Sequence, residues 1–123
     1  MDSRADLLLK AKDLWDRCLF YEAHELLEDL WCTFPKEDKF TRNCLQGLIR
    51  LAIAYNHYLN QRKDSALRVL RMVKDQIDHC GYCLGVDFPY ILKQVEYSIE
   101  RLERDLPLET FPELKLSHPH QAP

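Results

Sequence analysis

Residues 45–59, LQGLIRLAIAYNHYL, decide how this chain folds. At helical spacing Leu45, Leu48, Ala52 and Leu59 line one side, Leu51, Tyr55 and Tyr58 the next, and Ile49 and Ile53 adjoin them. A helix that is apolar around most of its circumference has to be enclosed by other helices. One narrow stripe breaks the pattern, where Gln46, Arg50 and His57 fall within a quarter turn of one another between Ile49 and Ile53. Polar groups on an enclosed helix need partners, so this stripe marks the place to look for a site.

Upstream, Ser3 and Asp6 form a weak capping box ahead of Leu7, Ala11, Leu14 and Cys18, with Leu8 and Trp15 beside them. The spacing predicts a first helix over about residues 4–17. After a short break, YEAHELLEDLW gathers Ala23, Leu26, Leu27, Leu30 and Trp31 on one face and turns Glu22, Glu25 and Asp29 away. This second helix, over about 20–33, ends at Pro35 and the charged KEDK stretch. The central helix fills about 39–60, and Asp64 or Ser65 is placed to cap a fourth, whose stripe is Ala66, Val69, Leu70, Val73 and Ile77.

HCGYCLG reads as a turn, and Asp87 caps a fifth helix with Pro89 in its first turn and Phe88, Leu92, Val95, Ile99, Leu102 and Leu106 along its core side. Residues 1–106 are expected to form one all-α domain. Residues 107–123, with four Pro and no periodicity, are expected to be an extended C-terminal tail, with Phe111 and Leu114 packed on the surface and the last residues disordered. Ala23, Leu27 and Leu30 are echoed by Ala66, Leu70 and Val73, which suggests two helical hairpins of similar shape, without the signature residues of a tetratricopeptide array.

Composition narrows the function classes. With 46% hydrophobic residues, only 3 Gly and 6 Pro in 123, there is material for a helical core and little for the turns of a β domain. A net charge of -3 sets nucleic acid aside as a partner. No apolar run is long enough to cross a bilayer, and MDSRADLLLKAKD lacks the pattern of a signal peptide, so a cytoplasmic protein is expected. Cys18, Cys32, Cys44, Cys80 and Cys83 then read as reduced thiols, the first three as small hydrophobes within helices.

FYEAHELLEDLW, CLQGLIRLAIAYNHY and GVDFPYIL together resemble a small all-helical bacterial and archaeal family, domain of unknown function 309, over about residues 5–103. The resemblance implies an irregular bundle of about five helices, with Glu22, His24, Glu25, Glu28, Trp31, Gln46, Gly47 and His57 on the family's defining positions. It implies no activity. Members often carry Gly in the turn before the E-A-H-E segment, where this chain has Cys18, Leu19 and Phe20.

His24 and Glu28 stand one turn apart on the second helix, so packing of the second and third helices through their polar edges would bring His24 and Glu28 to Gln46, Arg50 and His57. The first reading is a binding or interaction module, holding a partner protein or a small anionic ligand with Arg50, His24 and His57 in a groove walled by Trp31 and Tyr58. A second is a purely structural network in which Glu28 pairs with Arg50. A third is a metal-assisted hydrolase holding zinc or iron(II) on His24, Glu28 and His57, with Glu25 as a further candidate base. His79, Cys80 and Cys83 form half of a zinc knuckle, a second candidate metal site. Arg62, Lys63, Arg68, Arg71 and Lys74 read as a solvated basic side of the fourth helix, and apolar faces on the first or fifth helix suggest a homodimer.

Overall fold

Five α-helices follow one another in the computed structural model, which describes residues 3–117: α1 Arg4–Asp16, α2 Phe20–Cys32, α3 Lys39–Leu59, α4 Lys63–Ile77 and α5 Phe88–Glu103. Each helix packs on the next, and α3 lies between α2 and α4. Its enclosure matches its composition: Cys44, Leu45, Gly47, Leu48, Ile49, Leu51, Ala52, Ala54 and Tyr55 are all buried. Among the described residues there is no strand, only an isolated antiparallel bridge between Val86 and Leu116.

Local chemistry sets most of the boundaries. Ser3 Oγ accepts from Asp6 N at 3.1 Å, Asp38 Oδ1 from Thr41 N at 3.2 Å and Asp87 Oδ1 from Tyr90 N at 3.0 Å, so α1, α3 and α5 start on side-chain caps. The expected cap on α4 is not formed. That helix begins at Lys63, with Arg62 before it and Asp64 inside its first turn, where a carboxylate favours the positive end of the helix. Cys18 takes φ 63 in the α1–α2 turn, a left-handed conformation better suited to glycine, and because α1 ends at Asp16 its thiol is exposed instead of in the helical core stripe expected of it.

The echo between α2 and α4 marks equivalent core positions, since Ala23, Leu27, Leu30, Ala66, Leu70 and Val73 are all buried. Beyond α5, residues 104–117 run back across the bundle. Phe111 packs on Phe20, Tyr55 and Tyr58 with ring centroids 5.3–6.0 Å apart. Leu108 N donates to Tyr58 Oη at 2.8 Å, Trp15 Nε1 donates to Pro112 O at 2.9 Å, and Leu114 is completely buried. The segment ends on the α4–α5 connection, with Asp87 N donating to Lys115 O at 2.8 Å. The expected disorder of the last residues concerns positions 118–123, outside the described residues.

The reading of all five cysteines as reduced thiols is overturned. Cys44 on α3 and Cys80 just after α4 form a disulfide, with their Cα atoms 5.9 Å apart. They are 36 positions apart in sequence, which is why spacing alone did not pair them. The bond also removes Cys80 as a thiolate ligand for zinc.

Closing a loop of this length removes roughly 3–4 kcal/mol of freedom from the unfolded chain. Reduction, or Cys80→Ser, should therefore lower the melting temperature by roughly 10–15 °C in a domain of this size, and Cys83→Ser should leave it near the parent value. Identical melts with and without a reductant would mean that the two sulfurs are not joined.

Candidate functional site

The polar residues singled out in the sequence are distributed over four places. His24 Nδ1 meets the carbonyl of Tyr21 and its Nε2 lies 3.4 Å from Glu28 Oε1, a pairing internal to the outer edge of α2. Glu25 is exposed beside them. Trp31 Nε1 donates to Arg42 O at 3.0 Å, and the Arg42 guanidinium lies 3.7 Å from the ring centroid while it donates to Trp31 O and Phe34 O. This clamp satisfies carbonyls at the end of α2, so Trp31 walls no groove for Arg50.

Gln46 and Arg50 face α4, not α2. Gln76 on α4 is the hub: its Nε2 donates to Gln46 Oε1 at 3.0 Å and to Asn43 O and Oδ1 at 3.2 Å, and its Oε1 accepts from Arg50 Nη1 at 2.9 Å. Asn43 Nδ2 returns a bond to Gln76 O at 3.1 Å. The expected Glu28–Arg50 pair is not made, because helical twist carries Gln46 and Arg50 to the opposite side of α3 from α2. One turn away, the same seam has no room for a side chain on α3, since a Cβ on Gly47 would lie 2.4 Å from Ile77 Cγ2. The seam opens to solvent as a shallow depression bordered by Met72 and Asp75.

His57 lies at the far end of α3, where its Nδ1 accepts from Arg62 Nε at 2.9 Å. His24 and Glu28 pair with each other on α2 while His57 is engaged with Arg62 at the end of α3, so the three do not assemble as a two-His, one-carboxylate set. Among the described residues no three His, Cys, Asp or Glu side chains converge to hold a metal ion. At the turn, His79 Nδ1 lies 3.0 Å from Asp78 Oδ1, and burial raises the pKa of the Cys83 thiol. The basic side of α4 is turned to α5: Arg71 meets Glu103 at 2.8 Å, Lys74 meets Glu96 at 3.8 Å, and Lys63 meets Asp105.

Apart from the polar groups, one apolar stretch of open surface lies along α1. Leu9 is 56% exposed. It borders a depression of about 480 Å³ with Lys10, Asp13, Leu14 and Leu26, and a second of about 430 Å³ with Ala5, Leu8, Leu84 and Leu116. A third, of about 170 Å³, continues past Leu8 and Leu84 to Leu30, Phe34 and Arg4. The three share residues and form one continuous strip. Leu9 was not in the sequence-derived site because it falls outside the core stripe; an isolated apolar residue among Asp6, Lys10 and Asp13 on the outward face was the available signal.

The profile of a domain of unknown function (DUF309) matches residues 8–69. An uncharacterised protein of Aquifex aeolicus (strain VF5) is 34% identical over 76 residues, which are 62% of this chain and 22% of that protein. This chain therefore corresponds to about a fifth of that relative's length. No solved structure matches it. No helix among the described residues is long and apolar enough to cross a membrane.

Two measurements test the polar assignments. Gln76→Leu, which strands three side chains on α3, should cost about 1–2 kcal/mol in urea unfolding, and Arg50→Ala less than about 1 kcal/mol; a larger loss from Arg50→Ala would make Arg50 the hub instead. His57 is held below the ordinary imidazole pKa of 6.5, first by withdrawal from water and then by Arg62 and Arg68. The unfolded chain thus takes up this proton at a higher pH than the folded one, and the stability His57 contributes is present above that value and lost as pH falls through it. Between about pH 7.5 and about pH 5.5 the parent should lose more stability than His57→Gln; parallel losses would contradict the depressed pKa.

Proposed function

The chain belongs to the family of the domain of unknown function DUF309, and from that premise we propose that it is an interaction module whose docking surface is the apolar strip along α1. The observation that carries this reading is the exposure of Leu9 at the junction of two depressions of about 480 and 430 Å³. Soluble monomers seldom leave a continuous apolar strip uncovered, and such strips are where partners bind. The strip is long, shallow and bounded by two helices and the end of the C-terminal segment, a shape suited to another helix.

The seam around Gln76 supports a structural role in the same reading. Its amides are matched donor to acceptor across α3 and α4, and no buried side-chain nitrogen or oxygen among the described residues lacks a partner. In a cytoplasmic setting the Cys44–Cys80 bond would persist because Cys44 is fully buried and Cys80 is 3% exposed, which denies a reducing thiol access to either sulfur.

A photo-crosslinking side chain in place of Leu9, in protein expressed in a bacterial cell, should give discrete protein adducts. The same group in place of Asp75, on the polar seam, should give few. Equal adducts from both positions would place the docking surface elsewhere.

A further inference from the structure

Three of the five cysteines meet at the start of α3. Cys44 and Cys80 are joined there. Cys83 follows Cys80 by three positions, in a one-turn 3-10 helix, Cys83–Gly85, that packs on α3. Its sulfur meets Thr41, whose hydroxyl donates to it, and Thr41 stands one helical turn before Cys44 on α3. The third sulfur is thus kept at the level of the bond from two directions, by its short tether to Cys80 and by its neighbour on α3. Cys18 and Cys32, the other two thiols, are exposed at the two ends of α2.

The bond is shielded from outside but not from within. Cys44 and Cys80 are both buried, so a thiol in solution reaches neither sulfur. Cys83 is half-buried: it is open to solvent and already lies beside the bond. A nucleophile held next to its target by the fold acts at an effective concentration that no dissolved thiol attains.

We infer that Cys83 is the exchange thiol of this bond: it attacks Cys80 Sγ, moves the disulfide to Cys80–Cys83 and frees Cys44. Cys83 gives up its proton as its sulfur bonds to Cys80, the bond to Cys44 breaks with its electron pair on Cys44, and Cys44 takes up a proton. One disulfide is made for the one lost, so no oxidant or reductant is consumed. Cys44 becomes a thiol in the core, where cysteine behaves as a small hydrophobe and needs no polar partner. The moved disulfide lies in the α4–α5 connection, where an outside thiol reaches Cys83 and completes the reduction, and α3 is no longer tied to α4. Run backwards, the same steps close the buried bond: a small disulfide oxidises Cys80 and Cys83, and Cys44 then displaces Cys83. The path is slow at neutral pH, because burial raises the Cys83 pKa most, the Thr41 bond draws it partly back and the charge of Asp38 adds to the rise.

Reduction by excess glutathione, stopped at intervals by alkylation and read by mass analysis of the Cys44 and Cys80 peptides, tests the inference. The parent should be reduced at least about tenfold faster than Cys83→Ser, although the two melt alike, and Cys18→Ser should follow the parent. Equal rates for the parent and Cys83→Ser overturn the inference, because the bond then opens without Cys83; so does an equal slowing by Cys18→Ser.

A second arm reads the reach of Cys83 directly. Cys44→Ser leaves Cys80 and Cys83 as thiols, and oxidised glutathione should join them in one disulfide with release of two glutathione thiols. A lasting glutathione adduct on Cys83, or two unjoined thiols, in protein with the parent's circular dichroism spectrum shows that the sulfurs do not meet and also overturns the inference. If Cys44→Ser does not fold, the reduction rates decide alone.

Discussion

The approach of α4 to α3 at Gly47 is the constraint on which the rest of this bundle depends. With Ile77 Cγ2 only 2.4 Å from where a Cβ would stand, any other residue at position 47 forces the Ile77 side chain or its helix to shift. Two covalent and polar devices hold the same level of the seam. The Cys44–Cys80 disulfide joins α3 to the end of α4, and Gln76 binds Asn43, Gln46 and Arg50. Close approach increases dispersion contact but leaves backbone and side-chain polar groups near one another in a partly dry place. An amide hub satisfies them because one Gln offers two donors and a carbonyl oxygen. Register between the two helices is thereby fixed, and α3 can present its other sides to α2 and α5.

The returning C-terminal segment completes what five helices cannot cover. Trp15, Phe20 and Tyr55 form a chain of rings linking α1, α2 and α3, and Phe111 closes it from the segment. Edge and tilted aromatic contacts contribute about 0.5–1.5 kcal/mol each beyond burial, so this ring cluster outweighs any single surface ion pair in the molecule. An extended segment has no internal hydrogen bonds, so its backbone has to be satisfied from outside. Trp15, Tyr58, Lys12 and Asp16 do this by bonding the backbone of residues 108–114. Asp16 and Glu113 in turn more than offset the burial that would lower the Lys12 pKa, and raise it, keeping the ammonium charged at the carbonyl of Leu114.

The helices were legible in the sequence because their period is carried by many residues at once: Leu70, Val73 and Ile77, or Val95, Ile99 and Leu102, place a face even if one member is misjudged. The starts held to within a residue or two at the caps of Ser3 and Asp87 and also at uncapped α2, and shifted at α4; α5 ends at Glu103, leaving Leu106 exposed instead of in the expected core stripe. The polar stripe on α3 was legible as a set of groups in need of partners; the partners were not. Helical projection gives the angle of Gln46 and Arg50 about α3 but not which neighbour lies at that angle, and a helix enclosed on both sides has two answers. Gln76 carried no signal of its own, being one polar residue among Arg71, Asp75 and Asp78 on the outer side of α4. The disulfide was illegible for a related reason, since it joins two helical segments whose distance depends on the same unseen packing.

The division of labour among the polar residues follows from this geometry. Groups at the α3–α4 seam are matched across two helices, those on the basic side of α4 are matched to acids at and beyond α5, and Trp31 and Arg42 satisfy one another between α2 and α3. Each match consumes the directional capacity that recognition of a small polar ligand would use, and it does so where a change would move helices. The α1 strip, the docking surface in the proposed reading, lies outside these networks. On α1 the inward residues Leu7, Ala11 and Trp15 are buried, and Leu9 points outward, 56% exposed. Leu9, exposed between charges of both signs and beside the depressions that the fold leaves open, is the residue that a partner would cover in the proposed reading.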